Sequence, residues 1–421
     1  MDTDCRKKYI ELLEAELIAA TGCTEPIAIS YAAAKARAVL GCMPESMEVL
    51  CSGNIIKNVK AVTVPNSGGQ KGIEIAAILG VVGGNAEKEL EVLNDVTPED
   101  IELTKKLYNE GICATGLAEG VENLYIAVTL KAGNESSFVE LKTKHTNITK
   151  IQKNGETIFE NTAVMAGGTD RSILNLKDIY EFAETTDPES YKHILKRQID
   201  HNSAISMAGK EGGWGAEIGK TILSVYGDSD WRFRAMAAAA AGSDARMNGC
   251  PMPVVINSGS GNQGITVSMP IYEYYKQSGC SEDKFYRGLA LANLVSLLQK
   301  KHIGNLSAYC GAACAGCASV CGIAYMDGAT IEQIGQIIVN AASTVGGMVC
   351  DGAKSSCAGK IAVSVFTGLL AYEQVKRNNS YKPGEGMIVE DAEQSIANIG
   401  RMGREGMKGT DIEILKIMIG Q

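Results

Sequence analysis

Three cysteines in the C-terminal third of the chain have the residue type and spacing for metal chemistry. Cys350 and Cys357 lie seven residues apart among small and polar residues, and Cys310 stands directly before a glycine about forty residues earlier. Thiolates are soft ligands, and iron–sulfur clusters are held almost wholly by them. Three thiolates on a four-iron cluster would leave one iron open, and an open iron can act as a Lewis acid on a substrate.

The segment between Cys350 and Cys357 is predicted to be a loop. Gly347 and Gly352 disfavour a helix here, so the chain can fold back and bring the two thiols together. Lys354 lies between them and could offset the negative charge of a thiolate-bound cluster, or act as an acid or base. The alternative is two buried cysteines beside a glycine turn, because free cysteine is commonly buried and the chain contains 13 cysteines.

A further group of cysteines follows Cys310 closely. Cys314, Cys317 and Cys321 continue at steps of four, three and four residues, which keeps all four on one face of a helix. A straight helix would spread these four over roughly 16 Å, which is too far for one cubane. The last three are therefore predicted to be a packed helix face, unless the helix breaks at Gly316.

Cys23 is predicted to lie in a turn between two helices, at 6–20 and 27–40. Gly22 and Pro26 interrupt the helical pattern on either side of it. A thiol near a helix N-terminus has a lowered pKa and is more nucleophilic. Cys23 is therefore a candidate catalytic thiol, and a core cysteine at a turn is the alternative.

Two polar, glycine-rich loops, at 65–72 and 257–264, are candidates for binding a small substrate. Backbone amides in such loops can bind an anion, and side-chain amides and hydroxyls can hold a carboxylate. Ordinary turns are the alternative interpretation. A lone histidine at a strand end, His145, is interpreted as structural. The side chains selected for substrate binding are Asn66, Ser67, Arg246, Ser260, Asn262 and Gln263.

The hydrophobic pattern predicts a mixed α/β (α+β) fold. A mostly helical, alanine- and glycine-rich domain, formed by 1–43 and 166–421, would hold the cluster, and an α/β subdomain at 44–165 would be inserted into it. Strands are predicted at 47–51, 61–64, 124–130, 137–144, 148–153 and 157–160, the last four as an antiparallel meander. Further helices are predicted at 98–109, 286–300, 312–325, 331–343, 358–377 and 411–419.

Composition excludes several classes of function. The 421 residues carry a net charge of -9, with a pI near 5.2 and no basic run, which argues against nucleic-acid binding. The N-terminus lacks the apolar core of a signal peptide, and the apolar runs are too short or too interrupted by glycine to span a bilayer. These features predict a cytoplasmic protein. Its small-residue helices favour a homodimer.

Five motifs stand out together: Gly22-Cys23-Thr24-Glu25-Pro26, Ala245-Arg246-Met247, Gly259-Ser260-Gly261-Asn262-Gln263-Gly264, Cys310-Gly311 and Cys350-Asp351-Gly352-Ala353-Lys354-x-x-Cys357. In combination, and over essentially the whole chain, they resemble the L-cysteine desulfidase family, which is related to the α chain of iron–sulfur-dependent L-serine dehydratases. The resemblance implies an oxygen-sensitive [4Fe–4S] cluster, no pyridoxal phosphate, and conversion of L-cysteine to pyruvate, ammonia and hydrogen sulfide.

The resemblance also implies roles for individual residues. Cys310, Cys350 and Cys357 would hold the cluster, and Cys23 would lie near the open iron as a temporary fourth ligand or as a catalytic thiol. A base must remove the weakly acidic Cα proton, and it needs a pKa close to neutral. Cys23, Lys354 and His302 are the candidates for this base.

Three other functions remain consistent with the sequence. The first is dehydration of L-serine by the same mechanism. The second is a non-catalytic cluster protein that senses oxygen or redox state, which the absence of a DNA-binding pattern and the presence of glycine-rich polar loops disfavour. The third is a plain soluble protein with reduced, buried cysteines, which would contain no iron.

Overall fold

The structure, a computed structural model, describes residues 1–161, 170–304 and 307–420 and confirms the mixed α/β fold. None of the helices in these ranges is long and apolar enough to cross a membrane. The predicted border between 165 and 166 lies outside the described residues, and the division into two domains stays a prediction.

The first part of the chain contains helices α1 (Thr3–Glu16), α2 (Thr24–Leu40), α3 (Gly53–Val59), α4 (Ile73–Gly83) and α5 (Pro98–Asn109). The second part contains α6 (Leu176–Thr185), α7 (Lys192–Glu211), α8 (Ile218–Tyr226), α9 (Trp231–Met247), α10 (Gly261–Ser278), α11 (Glu282–Ile303), α12 (Gly311–Met326), α13 (Ile331–Val345), α14 (Cys357–Lys376), α15 (Ala392–Arg401) and α16 (Lys408–Ile419). Short helical turns lie at Ala86–Glu91, Pro188–Ser190 and Met402–Gly406.

The strands are β1 (Ala19–Thr21), β2 (Ser46–Cys51), β3 (Cys113–Leu117), β4 (Tyr125–Ala132), β5 (Glu135–Lys142), β6 (Ile148–Lys153), β7 (Glu156–Glu160) and β8 (Pro253–Val255). Six of them form one sheet in the order β3-β2-β4-β5-β6-β7. The β2–β3 pair is parallel and the other pairs are antiparallel. The predicted four-stranded meander is confirmed as β4 to β7.

Two predicted elements are wrong. The predicted strand at 61–64 is a turn in which Thr63 makes only an isolated bridge to Lys71. Its apolar residues Val62 and Val64 are instead fully buried core residues. The predicted helix at 6–20 ends at Glu16, because residues 19–21 pair with Pro253–Val255 as a small antiparallel sheet.

Small residues allow the helices to approach closely, as the alanine-rich stretch at 235–241 predicts. A Cβ atom built on Gly209 of α7 would lie 1.9 Å from the carbonyl oxygen of Ala241 on α9. Helix α2 packs on the sheet, where the Ser137 hydroxyl of β5 donates to the Ala36 carbonyl at 2.8 Å. The first residue of α2 contacts the loop before α10, since the Thr24 hydroxyl donates to the Gly259 carbonyl at 3.3 Å.

Candidate active site

The two cysteine-bearing loops are held together by backbone hydrogen bonds. The Cys310 N–H donates to the Met348 carbonyl at 2.8 Å, and the Cys350 N–H donates to the Ala308 carbonyl at 2.6 Å. This short antiparallel bridge brings the two cysteines side by side. Interaction with the neighbouring Cys310 thiol, helped by the Lys57 ammonium, holds the pKa of Cys350 below the usual thiol value despite burial.

The third thiol joins them through a tight glycine turn. Cys357 is the first residue of α14, and its sulfur lies 3.6 Å from the Gly352 carbonyl oxygen. Gly352 has a φ of 99°, and a Cβ there would lie 2.2 Å from the Lys57 carbonyl oxygen of α3. Only glycine fits this position without displacing backbone, so the loop is pressed directly against α3.

Cys23 lies next to Cys357. It precedes the first residue of α2, is 2% exposed, and packs in one apolar cluster with Cys357. Its thiol donates to Glu25 Oε2 at 3.0 Å. Burial and the Glu25 carboxylate raise the pKa of Cys23 well above the usual value. The predicted lowering of this pKa is therefore wrong, because these two effects outweigh the helix N-terminus.

Glu25, whose carboxylate accepts from Cys23, interacts electrostatically with His145. Asn58 donates to Glu25 Oε1 at 3.2 Å. Burial alone would raise the pKa of Glu25, but His145, the Cys23 hydrogen bond and Arg246 outweigh it, so this pKa is lowered. Burial lowers the pKa of His145 and Glu25 raises it only in part. His145 is therefore neutral at pH 7, and its buried Nε2 has no hydrogen-bond partner among the described residues.

Arg246, in the last turn of α9, faces the loop that begins α10. Its Nη1 donates to Asn262 Oδ1 at 3.2 Å, whereas its Nε, although buried, has no partner in the described part of the chain. A Cβ on Gly261 would lie 2.3 Å from that Nε, so the glycine is what leaves room for the guanidinium. Gln263 Oε1 is likewise buried and unpaired within the described ranges.

These groups line one cavity of about 110 Å³. Its wall includes the four cysteines and four of the six predicted substrate-binding residues: Cys23, Cys310, Cys350, Cys357, Arg246, Ser260, Asn262 and Gln263. A neighbouring chamber of about 340 Å³ shares Glu25, Ser260 and Gln263 with it and is also lined by His145. Glu25, Ser260 and Gln263 therefore border both chambers.

Four helix N-termini meet at this cavity. Helices α2, α10, α12 and α14 are preceded by Cys23, Ser260, Cys310 and Ser356, and none of these residues caps its helix through its side chain. The first-turn N–H groups of a helix lack intrahelical partners and carry partial positive charge. The cavity is therefore suited to negative charge, whether on thiolates or on a substrate carboxylate.

Four of the predicted site residues lie elsewhere. Asn66 Nδ2 donates to the Leu93 carbonyl at 2.9 Å and Ser67 Oγ to the Gln70 carbonyl at 3.0 Å, so both side chains satisfy local backbone. Lys354 is ion-paired with Asp351 at 2.6 Å. Of the residues that the structure describes, neither these three nor His302 line the cavity, and their functional roles stay predictions.

The donor set suits a cluster better than a single ion. No three Cys, His, Asp or Glu side chains in the described ranges converge closely enough to bind one metal ion. A cubane presents a separate iron to each thiolate, so its ligands need to surround it rather than meet at a point. Three thiols on one wall of a cavity, with helix N-termini and Lys57 nearby, fit such a group.

The additional cysteines of α12 are a packed helix face, as predicted. The helix runs without a break through Gly316, and Cys314, Cys317 and Cys321 are each no more than 1% exposed. Across the described residues, the cavity wall includes none of the three. Of the four cysteines from Cys310 to Cys321, Cys310, which precedes the helix, is the one that lines the cavity.

Sequence reasoning missed several residues of the cavity. His145 was interpreted as structural, and Lys57, Asn58 and Lys300 were not selected, although the last three line the cavity. Lys57 and Asn58 belong to α3, a short helix that was not predicted from the sequence. Glu25 belongs to the Cys23 motif, and its position two residues after that thiol is the one signal that could have identified it.

The sequence matches a family model and several known proteins over most of its length. A family model described as serine dehydratase alpha chain matches residues 87–416. A UPF0597 protein of Desulfitobacterium hafniense is 48% identical over 418 residues, which cover 98% of this chain and 96% of that protein. Similar proteins named UPF0597 occur in Lachnoclostridium phytofermentans, at 47% identity over 98% of this chain and 99% of the relative, and in Porphyromonas gingivalis, at 36% over 99% of each.

Proposed function

Because the chain belongs to the serine dehydratase alpha-chain family, we propose that it is an iron–sulfur-dependent lyase that converts L-cysteine and water to pyruvate, ammonia and hydrogen sulfide. The observation that carries this proposal is the meeting of Cys23, Cys310, Cys350 and Cys357 at one cavity that also contains Arg246. A thiol-rich wall beside a cation suits a substrate that bears both a soft leaving group and a carboxylate.

Cys310, Cys350 and Cys357 are the residues that would hold a [4Fe–4S] cluster. When bound, such a cluster with one open iron supplies a Lewis acid for the departing sulfide. The chain's own part is to keep these three thiols facing the cavity. The backbone bridge at Tyr309 and Val349 and the glycine turn at Gly352 do so without relying on flexible side chains.

Arg246 and Glu25 would orient the amino acid. The Nε of Arg246, which has no partner within the described ranges, can donate to the substrate carboxylate, and Ser260 and Asn262 line the same cavity. The ionised Glu25 carboxylate can accept from the substrate ammonium, and Gln263 Oε1, also without a partner among the described residues, offers a second acceptor. These contacts would hold the substrate so that its Cα–H bond lies between the cysteine thiols and His145.

His145 is the group best suited to take the Cα proton. A general base at neutral pH must be unprotonated and within reach of the substrate. His145 is neutral, its Nε2 has no partner in the described ranges, and it lines the chamber that shares Glu25 with the reaction cavity. Glu25 stabilises the imidazolium after transfer, in the way that a carboxylate supports histidine in other acid–base pairs.

The same arrangement serves L-serine, and the family match specifically favours this second candidate. Elimination of water in place of hydrogen sulfide would need the same base and the same carboxylate contacts. The leaving group is what differs, since a thiol binds iron more readily than a hydroxyl does.

An anaerobic preparation tests the proposal in two steps. Iron and acid-labile sulfide are counted per chain, and pyruvate release is then measured with L-cysteine and with L-serine. We expect about four of each atom per chain and faster release from L-cysteine. Absence of iron after anaerobic reconstitution would overturn the cluster assignment. A complete cluster with no turnover of either amino acid would favour an oxygen or redox sensor, and faster release from L-serine would favour the dehydratase.

A further inference from the structure

The outward face of α14 is apolar in the middle of the helix. Val363, Phe366 and Leu370 are 51%, 52% and 45% exposed. Their spacing of three and four residues places them on one stripe. Most other central positions are buried against neighbouring helices, so the solvent-facing surface of this part of α14 consists of these three side chains. A continuous row of large exposed apolar side chains is typical of an interaction surface.

The stripe is bounded by opposite charges. Lys360 lies one turn before Val363, with its ammonium fixed by Asp351 and the Val349 carbonyl. Glu373 lies one turn after Leu370 and accepts from Lys376 and Arg377. Each end therefore carries a charged group that is ordered by contacts within its own chain.

This arrangement is complementary to itself. If two α14 helices pair antiparallel about a two-fold axis near Phe366, Val363 of one copy lies opposite Leu370 of the other. The same register places Lys360 opposite Glu373, and symmetry creates this pair twice. A two-fold interface requires one surface that matches itself in this way.

We propose that the α14 stripe, defined as Val363, Phe366 and Leu370, is the surface through which two copies of this chain associate. A second copy suits it better than a membrane, because the chain has a net charge of -9 and membrane surfaces are commonly anionic. The stripe lies on the helix that begins with Cys357, so pairing would brace the element that carries this thiol. The proposed pairing through α14 is independent of the proposed function.

Sedimentation velocity on the anaerobically purified protein tests the proposal. We expect the wild type to sediment with the mass of two chains and the Phe366→Glu/Leu370→Glu variant with the mass of one. The control is Ile158→Glu on β7, where an equally exposed apolar residue, at 58%, receives the same charge away from α14. We expect this control to keep the two-chain mass. Circular dichroism and thermal unfolding confirm that each variant is folded.

A charge variant tests the register and keeps the proposal falsifiable if the double variant misfolds. Glu373→Lys would bring two cations together at both ends of the interface. We expect the dissociation constant of the dimer to rise about tenfold at low salt, and by less at high salt. A one-chain mass for the wild type, a two-chain mass for the folded double variant, or an unchanged dissociation constant in Glu373→Lys would each overturn the proposal.

Discussion

Among the described residues, two pairs of neighbouring cysteines, Cys310 with Cys350 and Cys317 with Cys321, lie in different surroundings. Cys310 and Cys350 join loops forty residues apart at the edge of a cavity, beside Lys57 and next to a helix N-terminus. Cys317 and Cys321 are one turn apart within α12 and are buried among apolar side chains. In each pair the partner thiol and burial raise the pKa of one member, Cys310 and Cys317, whereas the pKa of Cys350 is lowered by Cys310 and Lys57.

The difference shows that environment decides what a cysteine can do. Along the sequence, the regular spacing from Cys310 to Cys321 is the more conspicuous pattern, yet a rigid helix fixes those thiols in the core. The thiols proposed as cluster ligands lie in loops beside glycine residues instead. Donors, cations and access to a cavity are present at Cys350 and Cys357, and a metal centre needs all three.

Replacing one cysteine of each pair with alanine should give the largest effect. We expect Cys350→Ala to lose most of its iron and all measurable pyruvate formation, because a proposed ligand is removed. Cys317→Ala should keep both, at a cost of about 1 kcal/mol in the free energy of unfolding. Iron content, the visible spectrum and turnover are measured on anaerobic preparations. Equal iron loss in the two variants would remove the distinction between the pairs.

Replacing the proposed base should affect turnover without affecting the cluster. We expect His145→Gln to lower kcat by about 10²- to 10⁴-fold while the visible spectrum is retained. The matched control is His302→Gln, since His302 was a candidate base from sequence but lies away from the cavity. Similar losses in both variants would argue against a specific role for His145.

The pH profile separates a base from a structural histidine. Burial places the pKa of His145 below its ordinary value of 6.5. A base must be unprotonated, so kcat/KM should be constant at neutral pH and fall only as the pH drops below 6.5. The residual activity of His145→Gln should lack this decline. A decline that persists in the variant would have to come from another group.

Substitution of Cys23 tests whether a fourth thiol at the cavity behaves like the other three. We expect Cys23→Ala to leave the cluster spectrum largely intact and to abolish turnover, in contrast to Cys350→Ala, which should lose both. Spectrum and pyruvate release are measured on the same sample. Full activity in Cys23→Ala would exclude it from the mechanism, and loss of the cluster would make it a ligand.

Much of the helical framework and the meander could be predicted from the sequence, because hydrophobic periodicity is a local signal. The folding back of the chain between Cys350 and Cys357 also followed from local glycine residues. The contribution of α3 could not be predicted in this way. Lys57 reaches the cavity only because its carbonyl packs on Gly352, almost three hundred residues away along the chain.

At two places near the site, local sequence alone does not decide the role of the side chains. Asn66 and Ser67 have the composition of a ligand-binding loop, but their side chains bond to nearby backbone, which is the common use of such residues in turns. His145 was interpreted as structural because a strand end is an ordinary place for histidine. Its proposed role depends on the carboxylate of Glu25, a residue of α2 that lies far away in sequence.

Arg246 should matter for substrate binding more than for the cluster. Arg246→Lys keeps a positive charge but removes the unpaired Nε donor, which should raise KM about 10- to 100-fold with little change in iron content. Arg234→Lys, on the same helix but paired with Gln277 near the surface, is the control and should behave like the wild type. An unchanged KM in Arg246→Lys would place the carboxylate elsewhere.

The smallest effect is expected from substitutions of Gly347 and Gly352, the glycines beside Cys350. Gly347 and Gly352 both have positive φ, at 88° and 99°, but a Cβ would meet nothing within 4 Å at Gly347 and would lie 2.2 Å from the Lys57 carbonyl at Gly352. Gly347→Ala should therefore cost only the backbone strain, about 1–2 kcal/mol. Gly352→Ala should cost more and should also weaken iron retention, because α3 and the cysteine loop must move apart. Thermal unfolding of the iron-free protein isolates the stability term, and iron counts on the loaded protein report the site. Equal effects of the two substitutions on both readouts would mean that contact with α3 does not hold the loop in place.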